Sequence, residues 1–182
     1  MAYKNKITNP VTGQDFKFLQ TSQDTGGALL EMVSTYHSQS KEPPPHYHPY
    51  QEEDFIVMEG ELTVRTEGKL CKLIAGDRLH IGKKQVHSMW NATDQKTVIN
   101  WKTRPALDTE YLLETITGLA CDGKTDKDGR PNILQVALMT NKYSDSFRLA
   151  KPSYVIQKLV FGLLTPVAYL AGYKPSYEMY FK

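Results

Sequence analysis

The residues best suited to chemistry lie in the stretch 43–55, which reads PPPHYHPYQEEDF. His46 and His48 are one residue apart, and alternate side chains of a β-strand point to the same face. Both imidazoles would therefore lie side by side, which suits the binding of a transition-metal ion. The same spacing also occurs in pairs of surface or core histidines, so the pair alone leaves both interpretations open.

A carboxylate ligand would come from one of two adjacent residues, Glu52 or Glu53. Counting by twos from the histidines selects Glu52, but Pro49 has no amide hydrogen and favours a bulge or turn that would change the face. Glu53 shares its face with the apolar Phe55 and Val57, and this face suits a barrel interior better. We therefore predict Glu53 as the ligand and Glu52 on the opposite face.

The elements that must position these residues are predicted to be short strands. From about residue 16 to residue 101, apolar residues recur in short alternating runs separated by glycine, proline, asparagine and aspartate. This pattern is typical of a β-sandwich or barrel. The predicted strands lie within residues 28–37, 54–59, 61–66, 69–74, 78–82, 87–91 and 97–102.

The pattern changes to helical spacing after Pro105. Helices are predicted to begin near Asp108, Pro131 and Pro152, where a capping residue or a first-turn proline precedes an apolar run. The predicted organisation is thus a β-barrel with N-terminal strands over residues 1–104, followed by a C-terminal α-helical extension over residues 105–182.

The third helical segment is apolar nearly all round. Its uninterrupted apolar part runs from Leu159 to Gly172, which is shorter than the roughly 20 residues needed to span a membrane. Pro166 would also kink it. We predict a buried or dimer-facing helix, no membrane partner, and a homodimer with the extension at or near its interface.

Composition excludes some classes of partner. The chain has 22 lysines and arginines against 20 acidic residues, a net charge of +2, and the basic residues are scattered, so we predict no nucleic-acid partner. The first residues lack the long apolar core of a signal peptide, which predicts a cytoplasmic protein. Cys71 and Cys121 are then expected to be free thiols that are small buried hydrophobes.

Two segments resemble the motifs of a known family. The stretch HYHPYQEEDFIVMEG, residues 46–60, resembles the first motif of the cupin superfamily, and residues 76–91 resemble the second, with Gly76, His87 and Asn91 at the family's intervals. The resemblance covers about residues 28–101. Three glycine or proline positions of the family pattern depart from it and are occupied here by Ser40, Gly82 and Lys84.

The resemblance implies a fold and a ligand set. The fold would be mainly β, a single cupin-2-like domain with the jelly-roll-like barrel known as a double-stranded β-helix. In metal-binding cupins the ligands are two histidines and a glutamate of the first motif and a histidine of the second. Carried over to this chain, they are His46, His48, Glu53 and His87.

Three imidazoles and one carboxylate suit a divalent transition metal, Fe, Mn, Ni, Cu or Zn, better than Mg or Ca. The implied function is a metal-binding cupin that acts on a small organic molecule as a quercetinase-like dioxygenase or a related oxidase or isomerase. Glu53 would be the catalytic residue. It would dissociate from the metal and then act as a general base. The alternative is a non-enzymatic cupin that binds or senses a small ligand.

A substrate pocket would be lined by residues that share the faces of the ligands. These residues are Tyr36, Phe55, Val57, Met89 and Asn91. An aromatic and apolar lining would suit a planar or phenolic substrate. Packing in the core is the alternative role for each of them.

Overall fold

The computed structural model describes residues 6–177. The strands are β1 (Lys6–Thr8), β2 (Asp15–Gln20), β3 (Leu30–Tyr36), β4 (His46–Tyr47), β5 (Glu52–Glu59), β6 (Glu61–Thr66), β7 (Lys69–Ile74), β8 (Arg78–Ile81), β9 (His87–Trp90), β10 (Thr97–Arg104) and β11 (Arg148–Leu149). The helices are α1 (Thr109–Cys121), α2 (Ile133–Lys142) and α3 (Tyr154–Leu170).

The strands form two antiparallel sheets. One has the order β1-β2-β3-β10-β5-β8, and the other has the order β11-β4-β9-β6-β7. Each sheet is hydrogen-bonded within itself, so the fold is a two-layered double-stranded β-helix rather than one continuous closed ladder. The predicted mainly β fold with a C-terminal helical extension is confirmed.

The main core lies between the two sheets. Its buried residues come from both layers and are Tyr36, Phe55, Val57, Leu62, Val64, Ile81, Met89 and Ile99. On β5 burial alternates from residue to residue, because successive side chains of a strand point to opposite faces. Glu53, Phe55 and Val57 therefore enter the space between the sheets together.

Gly60 makes the tight connection between β5 and β6. Its φ of +81° lies in the left-handed region, and a Cβ atom at this position would overlap the carbonyl oxygen of Lys96. Only glycine combines this backbone conformation with such a close approach of another strand. The glycine of the first motif is thus required by the geometry of the turn.

The helices pack beside the sheets through a separate cluster. Leu112 and Leu119 of α1 contact Met139 of α2 and Tyr143 at its end. The extension also supplies β11, a strand that the sequence did not predict, and this strand pairs with β4. The extension is therefore joined to the second sheet through β11.

The outer face of α3 is exposed, although the apolar sequence predicted a buried or dimer-facing helix. Leu159, Leu163 and Leu170 are 65%, 78% and 90% exposed. Within a single chain α3 is therefore not buried as predicted, because only the face carrying Gln157, Phe161 and Ala168 is covered. No helix among residues 6–177 is long and apolar enough to cross a membrane.

The cysteines depart from expectation in one respect. Cys71 and Cys121 are both free, as predicted, but both are exposed rather than buried. Cys71 lies on β7, an edge strand of the second sheet, and Cys121 is the last residue of α1. Both positions are at the margins of the fold, which the alternating sequence pattern does not reveal.

Glu114 on α1 predicts a pH dependence of stability. It is buried one helical turn after Glu110, and burial followed by the nearby Glu110 charge raises the pKa of its carboxyl to about 8. The unfolded chain releases this proton near the ordinary value of 4.5, so stability falls as pH rises from about 4.5 to 8. We expect Glu114→Gln to stabilise the protein by about 2 kcal/mol at pH 8 and to have little effect at pH 4.5.

Urea unfolding of both proteins at the two pH values measures this difference. The exposed Glu52→Gln serves as the control and should give the same small change at both pH values. An equal effect of Glu114→Gln at pH 4.5 and pH 8 would show that the carboxyl ionises normally in the folded protein.

Candidate metal centre

Three histidines meet at the centre of the second sheet. His46 on β4 is paired directly with His87 on β9, and their ring centroids are 4.4 Å apart. His48 follows two residues after His46, and its ring centroid is 5.2 Å from each of the other two. One nitrogen from each ring lies within 4.8 Å of the others. The structure thus brings together three of the four residues that the cupin resemblance implies as ligands.

The Nδ1 atom of each ring faces a backbone carbonyl oxygen. The acceptors are Pro44 for His46 at 3.2 Å, Ser146 for His48 at 2.5 Å and Gln85 for His87 at 3.0 Å. A carbonyl oxygen can only accept, so Nδ1 carries the proton in every ring. The lone pair of each neutral ring is consequently on Nε2, where it is available to a metal.

Glu53 completes the cluster from the first sheet. Its side chain is fully buried, and its Oε2 lies 3.2 Å from His48 Nε2 and 3.1 Å from His87 Nε2. Trp101 Nε1 donates a hydrogen bond to the other oxygen, Oε1, at 2.9 Å. Glu52 points to solvent, 3.7 Å from Lys83 Nζ. Of the two adjacent glutamates, the structure brings only Glu53 to the histidines.

The donor set fits a metal ion. His48 Nε2 and Glu53 Oε2 are buried and have no hydrogen-bond partner. With protons on the Nδ1 atoms, these two acceptors face one another and repel, unless a cation lies between them or a ring takes a second proton. A divalent transition metal would satisfy the imidazoles and the carboxylate together.

The charges of the cluster are strongly coupled. Burial alone would lower the pKa of His48, but the negative charge of the nearby Glu53 carboxylate raises this pKa above its usual value. Burial would raise the pKa of Glu53, yet His48 and His87 hold this pKa well below its usual range. Burial, followed by the neighbouring histidines, holds the pKa of His46 well below normal. The Glu53 carboxylate is thus charged at neutral pH, and the His46 ring is neutral, with a lone pair that can be donated to a metal.

The loop before β9 contains one of the departures from the family pattern. Lys84 stands where the second motif has a glycine, and it adopts the left-handed conformation with φ of +64°. Its backbone N–H donates to the carbonyl oxygen of His48 at 2.8 Å. Glycine adopts this conformation at lower cost than lysine. With lysine at this position, the loop contacts the backbone of His48, just after β4.

The predicted pocket residues are placed mainly in the core. Tyr36, Phe55, Val57 and Met89 belong to the buried cluster between the sheets. The Asn91 amide nitrogen donates to three backbone carbonyl oxygens, those of Tyr36, His37 and Gln95. Its backbone N–H donates to Ser40 Oγ at 2.8 Å. These hydrogen bonds give Asn91 a structural task in holding two loops together.

Two contributors to the site were missed by the sequence analysis, Trp101 and the segment 146–150. We call this segment the strap. Ser146 accepts from His48, and Phe147 stacks on His46 with ring centroids 4.7 Å apart and planes 29° apart. The only sequence signal for the strap is the brief alternation of Phe147, Arg148 and Leu149, which is too short to distinguish a strand from a loop.

Comparisons with known proteins agree with the fold and the motifs. A family model described as a cupin domain matches residues 32–101. A quercetin 2,3-dioxygenase from Bacillus subtilis is 31% identical over 78 residues, which are 43% of this chain and 23% of that protein. The chain thus spans about a quarter of the length of that relative.

Solved structures with a similar fold include other cupins. An RmlC-like cupin from Shewanella frigidimarina is 19% identical with a TM-score of 0.49, covering 58% of this chain and 87% of that one. A sugar phosphate isomerase from Silicibacter pomeroyi is 20% identical with a TM-score of 0.46, covering 53% and 62%. The segment that the cupin domain model matches, residues 32–101, carries both motifs within the two-layered sheet structure.

Proposed function

We propose that this chain is a transition-metal-dependent cupin enzyme that acts on a small organic molecule, with dioxygenase-like chemistry as the first reaction to test. The observation that carries the proposal is the cluster of His46, His48 and His87, with the buried Glu53 carboxylate beside the Nε2 atoms of His48 and His87. Its Oε2 and the Nε2 of His48 lack hydrogen-bond partners. Such a cluster is costly to bury unless a cation is bound.

The chain's own residues have distinct roles in this proposal. His46, His48 and His87 would hold the metal through Nε2, and their backbone hydrogen bonds orient the rings. Glu53 would contribute Oε2 as a ligand or as the acceptor of a substrate proton, while Trp101 holds Oε1. A bound metal would supply a Lewis acid that polarises a substrate oxygen and lowers its pKa.

The choice of reaction rests on the similarity to the quercetin 2,3-dioxygenase, which includes 43% of this chain. Because the match covers 23% of that relative, we propose the relative's substrate and activity for this chain rather than assign them to it. Quercetin and related phenols are therefore the first substrates to assay.

Oxygen uptake by metal-loaded protein in the presence of quercetin tests the proposal. We expect uptake with the wild type and with Glu52→Gln, and a loss of about 100-fold or more with Glu53→Gln, since only Glu53 touches the histidines. Absence of oxygen uptake with every transition metal tried would overturn the dioxygenase proposal.

A second function, non-enzymatic binding or sensing of a small ligand, is favoured by the strap. Phe147 lies against His46 and its ring centroid is 6.4 Å from that of His48, so this side of the centre is covered by protein. A closed centre suits tight retention of an ion or ligand more than rapid turnover. Metabolite binding that persists after removal of the metal would favour this function over the enzyme.

We also propose that the exposed face of α3 binds a second copy of the chain. Lys158 is its single charged residue, so the face offers little to an acidic or basic partner and lacks the basic stripe of a membrane-surface helix. Gly162 lies at the middle of the helix, and a Cβ there would meet nothing within 4 Å. Two copies of α3 related by a two-fold axis could approach closely at this point.

Light scattering of the full chain measures this association. We expect a dimer for the wild type and a monomer for Leu163→Glu, because Leu163 is 78% exposed beside Gly162 and a charge there would be buried on association. Leu70→Glu, at a similarly exposed position on β7, is the control and should remain dimeric. A monomeric wild type would contradict the proposed interface.

A further inference from the structure

The strap is hydrogen-bonded to β4 and to the residues on either side of β4. Arg148 and Leu149 pair with Tyr47 and His46 in antiparallel register. The Ala150 N–H then donates to the carbonyl oxygen of Pro45 at 2.9 Å. The backbone that carries His46 is therefore held on one side by β9 and on the other by the strap.

Ser146 joins the metal centre to the helical extension. Its carbonyl oxygen lies 2.5 Å from His48 Nδ1, and its hydroxyl oxygen accepts from the Asp108 N–H at 3.0 Å, just before α1. The residue is 1% exposed. A buried carbonyl held in this way fixes the tautomer and the direction of the His48 ring from outside the cupin domain.

The ring of Phe147 covers one side of the histidine cluster. Its ring is nearly parallel to that of His46 and approaches the edge of the His48 ring. On its other side Phe147 packs against the cluster formed by α1 and α2. An ion or chelator that approached His46 from this side would have to displace an anchored aromatic ring.

We propose that the strap, residues 146–150, is a positioning and gating element of the metal centre. Ser146 aligns His48, and Phe147 controls the passage of ions and ligands to the ion. This inference rests on the proposed metal binding and assigns to the C-terminal extension a task in the site that the motifs of the cupin domain do not contain. Ion exchange then requires the strap to separate from β4.

The rate of metal release measures the gate without any assay of activity. Wild-type protein is loaded with Zn(II), and transfer of the ion to a chromophoric chelator is followed by absorbance. We expect release to be about 10-fold faster or more from Phe147→Ala, in keeping with the usual effect of residues that support ligands. Ile133→Ala, which shortens an exposed side chain at the start of α2 in the same extension, should release zinc at close to the wild-type rate.

A cross-link tests the same inference in the opposite direction. Tyr47 and Arg148 are register partners, and paired Cα atoms about 4.5–5.5 Å apart suit a disulfide. In a Cys71→Ser, Cys121→Ser background, the double variant Tyr47→Cys with Arg148→Cys should release zinc more slowly when oxidised than when reduced. This comparison remains informative where Phe147→Ala fails to fold.

The outcomes separate the two proposals. Zinc bound by the wild type and released at unchanged rates by Phe147→Ala and by the oxidised and reduced cross-linked protein would overturn the gate and leave the metal centre standing. A wild type that binds no zinc, nor Mn(II), Fe(II), Ni(II) or Cu(II), would overturn both.

Discussion

Replacing His87 by alanine should reduce the metal content of the purified protein from about one ion per chain to below about a tenth. His87 Nε2 lies 3.1 Å from Glu53 Oε2, and among residues 6–177 the group of possible ligands contains only two further imidazoles, those of His46 and His48. The ring is buried, and its loss leaves a space rather than a substitute donor. Elemental analysis after removal of free metal gives the stoichiometry.

His80→Ala is the matched control for this loss. His80 lies on β8 of the other sheet, where its Nδ1 is 2.9 Å from Asp54 Oδ1 at the surface. Its replacement removes one imidazole and should leave the metal content unchanged. Full metal occupancy in His87→Ala, or an equal loss in His80→Ala, would mean that the ion binds elsewhere or through surface histidines.

Metal binding should also stabilise the fold strongly. Without an ion, the unpartnered His48 Nε2 and Glu53 Oε2 face each other inside the protein. A metal at about 1,000 times its dissociation constant adds about 4 kcal/mol, which for a chain of this size raises Tm by about 10 °C. Thermal unfolding with metal and with chelator measures the difference.

The two glutamates provide the comparison for this experiment. Glu53→Gln keeps an oxygen for Trp101 Nε1 but removes the charged ligand, and we expect it to lose more than half of the metal-dependent rise in Tm. Glu52→Gln, whose side chain is at the surface, should retain the whole rise. Equal rises in both variants would contradict a role for Glu53 in holding the ion.

The sequence predicted the sheets well because alternation is a local property. On β5 the inward residues are Glu53, Phe55 and Val57, and the pattern of burial follows the period of two that the sequence shows. This period also distinguishes the buried Glu53 from the exposed Glu52, although Pro49 obscures the count from the histidines. The motifs supplied His87, whose pairing with His46 across two strands is not evident in any local pattern.

The strap could not be predicted because its structure depends on distant partners. Arg148 and Leu149 form a strand only by pairing with β4, about 100 residues earlier in the chain. The hydrogen bond of Ser146 to His48 uses a backbone carbonyl, which every residue has, so side-chain types carry no signal for it. The contribution of the extension to the site therefore appears only in three dimensions.

The third helix shows another limit of sequence patterns. Its composition shows that much of the surface is apolar, but not whether the same chain covers it. In the structure Phe161 is buried while Leu163 and Leu170 are exposed. The same limit applies to Cys71, which was expected in the core and lies on the surface of β7.

The most direct test of the metal centre is anomalous diffraction from crystals of the protein grown with a transition metal. We predict one strong anomalous peak about 2.0–2.2 Å from the Nε2 atoms of His46, His48 and His87 and from an oxygen of Glu53. Data collected on both sides of the absorption edge identify the element. A metal-loaded crystal without a peak among these four side chains, or with its peak elsewhere, would contradict the account.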